Sequence, residues 1–159
     1  MRIYLYAVVF VLLVIYAAAA LVTVDRRPAD KQIASLVQQG AQAINDRDLG
    51  RAMSYVSESY EDEFNSNYSQ LRIRAAQAFR DETRYHVTSV PTRINPEENE
   101  AMISCHVSIT RAGDSQPFYK RDLIILLQQE RGWHAWVMPV RVWRVTSIRN
   151  MGFDFGSEL

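Results

Sequence analysis

The sequence predicts an α+β domain: three N-terminal helices packed on a curved antiparallel sheet (a cone), preceded by one transmembrane or signal helix. Three observations predict it. Residues 3–24 form an apolar run without a charge. Apolar residues then recur at three-and-four spacing as far as Phe79, the mark of helices buried on one side. From Arg84 onward the period falls to two, and clusters of turn residues punctuate the alternation. The expected division is an N-terminal segment at 1–27, the α+β domain at 28–149 and a tail at 150–159.

The run Ile3–Val24 is flanked by Arg2 and by Asp25-Arg26-Arg27. At about 1.5 Å per residue, a helix of this length crosses a bilayer core of roughly 30 Å. The rival reading is a cleaved signal peptide, with Arg2 ahead of an apolar stretch and a cleavage site within Ala17–Ala20. Apolarity continues through Leu21-Val22-Thr23-Val24, which favours an uncleaved anchor. The expected location is therefore a single-pass membrane protein with its domain extracytoplasmic, or an exported protein if the segment is cleaved.

In the domain, Pro28-Ala29-Asp30 suits a helix start, and Ile33, Leu36, Val37, Gly40, Ala41 and Ile44 make its inner stripe. Asn45-Asp46-Arg47 breaks that helix. Asp48 caps a short one with Leu49, Ala52, Met53 and Val56 inward, and Ser69 can cap a third, with Leu71, Ala75, Ala78 and Phe79 inward. Tyr85, Val87 and Ser89 then alternate with His86, Thr88 and Val90. After the turn cluster at 95–99, Ala101, Ile103, Cys105, Val107 and Ile109 alternate with polar neighbours. A third strand is expected from Phe118 to Gln129, a tight hairpin at Glu130-Arg131-Gly132, and a fourth strand from Trp133 to about Val145. Leu123–Leu127 is apolar on both faces, and a helix layer covers only one, so the other face is expected to bury itself in a homodimer or under the tail.

Balanced charge, 18 Lys and Arg against 18 Asp and Glu, excludes a basic nucleic-acid footprint. The single cysteine excludes an intrachain disulfide. No Gly-rich phosphate loop, serine elbow, CxxC pair or HExxH motif is present, so no cofactor is expected.

The stretch Ala43-Ile44-Asn45-Asp46-Arg47-Asp48-Leu49, with Ala52-Met53, Val56-Ser57 and Tyr60-Glu61-Asp62, resembles the nuclear transport factor 2-like superfamily, also called cystatin-like or SnoaL-like. Gln128-Gln129-Glu130-Arg131-Gly132-Trp133 is similar to that superfamily's entry into its last strand. The resemblance covers roughly residues 29–147. It implies that Asp48 caps the second helix, that Tyr60 closes the wide mouth of a cone and that Trp133 seats the last strand. It also implies that any catalytic base would project from the sheet toward the helices. Those positions read Tyr85, Val87, Ile103, Cys105, Val107, Ile109, Leu123, Ile125 and Leu127, with no acid among them. The scaffold carries many unrelated activities and implies none by itself.

Two groups of residues are candidates for chemistry or binding. With the turn centred on Glu97, Val87 pairs with Val107 and Thr88 with His106, which makes His86 a diagonal neighbour of His106 at about 7–8 Å. Asp122 falls on the same face. His86, His106 and Asp122 thus form a candidate two-histidine, one-carboxylate cluster for a metal or for acid–base work. The plainer reading is a set of polar residues on a solvent or dimer face. Tyr55, Tyr60, Asp62 and Trp133 are candidate ligand contacts at the mouth, against the plainer reading of a solvated acidic rim. Cys105 alternates with apolar residues as a core thiol does. The expected function is a membrane-anchored or exported, non-catalytic binding or assembly module, with a membrane-complex protein as partner. The alternative is a small-ligand enzyme of cyclase, isomerase or dehydratase type.

Overall fold

The computed structural model describes residues 10, 12, 14–16, 27–81, 83–134 and 138–152, without the side chains of residues 133, 134 and 138. The chain divides into two compact units, residues 1–27 with 130–142, and residues 28–129 with 143–159.

Three helices precede the sheet: α1 (Ala29–Asn45), α2 (Leu49–Ser54) and α3 (Tyr68–Arg80). Pro28 stands just ahead of α1, whose buried residues are Ile33, Val37 and Ala43. Asp48 caps α2 by accepting from the backbone N–H of Arg51, as its position ahead of the helix dictates. The third cap is Asn67 rather than Ser69. Its side chain takes the Gln70 N–H while the Gln70 side chain takes the Asn67 N–H, a reciprocal box that Ser69 has no partner to make. At the other end of α3 the Arg47 guanidinium donates to the carbonyls of Phe79, Asp81 and Thr83, satisfying acceptors at the helix end and just beyond it.

Four strands follow, β1 (Tyr85–Pro96), β2 (Glu100–Arg111), β3 (Tyr119–His134) and β4 (Met138–Arg149), in spatial order β1-β2-β3-β4. Alternation decides the faces. Ala101, Ile103, Cys105 and Val107 of β2 and Tyr119, Leu123, Ile125 and Leu127 of β3 are buried and join Ile33, Val37 and Tyr60 in one core. The sheet stays open and does not curve into the expected cone. Each edge is contacted locally instead of joined. On β1 the Asn45 amide exchanges two hydrogen bonds with the backbone of Val87, at 2.7 and 2.9 Å, imitating a neighbouring strand. Along β4, Tyr55, Ser57 and Glu61 bond the backbone of Val145 and Thr146. Such contacts occupy backbone groups that an open edge otherwise leaves unpaired.

The hairpin expected at Glu130–Gly132 is strand: β3 continues to His134, and the residues between it and Met138 lie outside those described. Gly132 serves close approach rather than a turn, because a Cβ there would lie 3.0 and 3.1 Å from the methyl carbons of Val142. Trp133 therefore belongs to β3 and does not open the last strand.

Among the described residues no helix is long and apolar enough to cross a membrane. This corrects the expected single-pass anchor or signal helix, the membrane partners and the extracytoplasmic location resting on it. Apart from Phe10, Leu12 and residues 14–16, the run 3–24 lies outside the described residues. The homodimer through the sheet is corrected as well, for its premise was an apolar second face. The outward positions of β1 to β3 carry His86, Thr88, Ser104, His106, Ser108, Lys120 and Asp122 among a few apolar residues, Val90, Met102 and Ile124 being exposed. Leu123, Ile125 and Leu127 are spent on the helix side.

Candidate functional site

The loop between α2 and α3 folds around Asp62. Its Oδ1 accepts the backbone N–H groups of Phe64 and Ser66, each at 2.9 Å, and Ser66 in turn accepts the Arg74 guanidinium at 2.9 Å. Asn65 takes the left-handed conformation, φ 57°, that such a tight return requires and that Asn tolerates. A bridge between Glu61 and Asn67 closes the loop, and Glu61 N–H reaches Thr146 on β4. Between this loop and the end of β4 lies an open cleft of about 410 Å³, lined by Glu61, Asp62, Glu63, Asn65, Ser147 and Arg149.

The acids of the cleft differ in what remains available to a ligand. Asp62 is buried, with one oxygen held by two backbone donors. Glu63 spends both oxygens on consecutive N–H groups, Asn150 at 2.9 Å and Met151 at 2.7 Å. Glu61 and Arg149 are exposed, and among the described residues neither side chain has an ion-pair partner. The cleft thus offers one carboxylate and one guanidinium at its rim.

Of the expected ligand contacts, only Asp62 lines this cleft. Tyr55 is half-buried and its hydroxyl donates to Gln39 of α1 at 3.1 Å. Tyr60 is 2% exposed and belongs to the core, so it does not stand open at a mouth. Burial, then the Asp62 charge, pushes its phenol well above the usual range and keeps it neutral. The Trp133 side chain lies outside those described. Ser147 and Arg149 escaped sequence reasoning because β4 was expected to stop near Val145. Alternation carried two steps further would have included them.

On the outer face of the sheet, β2 and β3 bring His106 and Asp122 directly opposite each other, with Nδ1 and Oδ1 2.7 Å apart. His86 is not with them. It pairs with Thr110, four residues along β2 from His106, which is roughly 13 Å at strand rise. The β1–β2 register is displaced by two residues from the one that a turn on Glu97 implies, and an irregularity between Pro91 and Arg93 shifts it again. A two-residue slip keeps both histidines on one face and separates them. Among the described residues no three His, Cys, Asp or Glu side chains group closely enough to hold a metal ion.

Cys105 is fully buried, 2.8 Å from the Ser89 hydroxyl, and burial pushes its thiol up. An uncharged thiol among Ile103, Val107 and Leu123 is a packing group rather than a nucleophile.

No protein-family model matches this sequence, and no curated protein does. Solved structures do. An NTF-2 like protein of unknown function from Shewanella oneidensis superposes with a TM-score of 0.60 at 12% identity, over 76% of this chain and 97% of that one. A protein of unknown function from Mycobacterium tuberculosis gives 0.60 at 16% identity, over 74% and 71%. A cystatin-like fold protein from Nostoc punctiforme gives 0.58 at 10% identity, over 75% and 86%. At such identities the likeness is one of fold. The fold of this chain is nuclear transport factor 2-like, or cystatin-like, with an open sheet.

Proposed function

We propose that the chain is a non-catalytic binding module of this fold, which seats a small polar ligand in the cleft between Glu61 and Arg149. One observation carries the reading: Asp62 and Glu63 of the cleft region accept backbone donors, while an exposed carboxylate and guanidinium remain at its rim. Opposite charges on one rim can orient a ligand bearing both signs. A general base needs a free, desolvated lone pair aimed at a proton, and Glu63 has neither oxygen to spare. The helix-facing side of the sheet supports the same reading, since Ile103, Val107, Leu123, Ile125 and Leu127 fill it with apolar groups.

Saturation-transfer NMR of the full chain against small amino acids and amino-carboxylates tests this. The expected result is transfer to some compounds that is lost in both Glu61→Ala and Arg149→Ala, with every compound chemically unchanged after prolonged incubation. Transfer that survives both substitutions sinks the proposed seat, and conversion of a bound compound sinks the non-catalytic reading.

A further inference from the structure

The chain leaves β4 at Arg149 and makes a turn whose middle residue returns to the core. Met151 is 5% exposed and belongs to the same buried cluster as Tyr60, Tyr119 and Cys105. Its flanks are both left-handed, Asn150 at φ 66° and Gly152 at φ 78°, and Asn and Gly are the residues that adopt this conformation at least cost. Gly152 lies against Arg121, where a Cβ would collide with the guanidinium.

Four hydrogen bonds, made by three side chains, hold the turn. The exposed Glu63 accepts the N–H groups of Asn150 and Met151, one on each oxygen. The Asn150 amide donates to the Asp122 carbonyl at 2.7 Å, and the buried Tyr119 hydroxyl donates to the Met151 carbonyl at 3.0 Å. Two of the four backbone bonds rest on one surface carboxylate, and charge-assisted bonds of this kind are the strong ones. The apolar side chain they seat is unbranched and adapts its shape to the space it enters.

We propose that residues 150–152 form a latch, with Met151 as the bolt and Glu63 as the catch, that closes one end of the interior between helices and sheet. Withdrawing Glu63 frees the two N–H groups, the turn swings on Asn150 and Gly152, and Met151 leaves the core while the sheet stays folded. The opening lies at Tyr119. Cys105 stands opposite Leu123, two same-face positions along β3 from Tyr119, so the thiol reports on entry from that end. This inference is independent of the ligand proposed for the cleft.

The chain provides its own probe, because Cys105 is its single cysteine and is fully buried. Labelling of the full-length protein by an aromatic disulfide reagent is followed at rising, sub-denaturing urea. The expected wild-type result is a slow labelling component independent of urea, the signature of local opening. In Glu63→Gln that component is faster by about tenfold or more, as the loss of charge-assisted bonds requires, and stays independent of urea, while global unfolding loses only the same increment of stability. Met151→Ala accelerates it too, and Asn150→Gly, which keeps both N–H groups and the left-handed turn but loses the amide bond to Asp122, accelerates it less than Glu63→Gln does. The latch is refuted if labelling occurs only with the steep urea dependence of global unfolding, in wild type and variants alike. It is equally refuted if Glu63→Gln labels at the wild-type rate.

Discussion

The two faces of the sheet share one backbone and one alternation yet hold their residues by different means. On the helix side, Ile103, Cys105, Val107, Leu123, Ile125 and Leu127 are excluded from water and need only shape. On the outer side the same strands carry His106 and Asp122, paired at 2.7 Å but with 37% and 73% of their side chains exposed. Burial multiplies the consequence of each inward residue, whereas water discounts each outward contact. An isolated polar pair on such a face is weak grounds for chemistry. A buried thiol or phenol on the other is evidence of packing.

The largest expected effect contrasts a single step in β-strand parity. Ile103→Ala removes a fully buried side chain and should cost about 2–5 kcal/mol of unfolding free energy. Ile124→Ala, on the outer face at 37% exposure, should cost about 1 kcal/mol or less. Urea unfolding of the two variants checks the pair. Equal losses would mean that something covers the outer face in solution, and the contrast between faces would fail.

An alkaline titration separates the faces by protonation. Tyr60, Tyr119 and Cys105 all sit on the helix side, and burial raises all three above their ordinary values of 10.0, 10.0 and 9.0. Between the ordinary and the raised value the folded chain holds protons that the unfolded chain has lost. Their contribution to stability is therefore complete below the unfolded values and declines as pH rises through 9 and 10 toward the folded ones. The thermal midpoint should fall between about pH 9 and pH 11, and Tyr60→Phe should remove the largest share of that fall. A midpoint that is flat over this range, or a slope untouched by Tyr60→Phe, contradicts the assignment.

Much of the helix-facing surface was legible in the sequence because parity is a local property. Residues two apart share a face whatever they pair with, so Tyr85, Val87, Ile103 and Leu123 could be placed before any register was known. Asp48 was legible for the same reason, since a cap acts within its own turn. Pairing is not local. His86 and His106 kept their face and lost their proximity through a two-residue slip. Gly132 looked like a hairpin because nothing in its neighbourhood announces Val142 ten residues on. The acids of the Tyr60–Glu63 stretch showed their charge but not their partners. The donors to Glu63 come from Asn150 and Met151, almost ninety residues away. The cleft was missed on its β4 side for a local reason, the strand being ended near Val145 when it runs to Arg149.

The smallest expected effect concerns the outer pair itself. His106 and Asp122 were placed on one face by matching the apolar faces of β2 and β3, and the register holds without interruption from Glu100 opposite Gln128 to Ile109 opposite Tyr119. Directly opposed side chains in an antiparallel pair do interact, but exposed charged or polar partners contribute only about 0.2–1 kcal/mol. A double-mutant cycle with His106→Ala and Asp122→Ala should return a coupling near about 0.5 kcal/mol that fades as salt is raised. Asp122 should be substituted with its backbone in mind, because its carbonyl, not its carboxylate, receives Asn150. The cycle therefore leaves the C-terminal turn in place. A coupling several times larger would mean that the pair is desolvated by something lying on the outer face, which is the same failure that equal Ile103 and Ile124 losses would report.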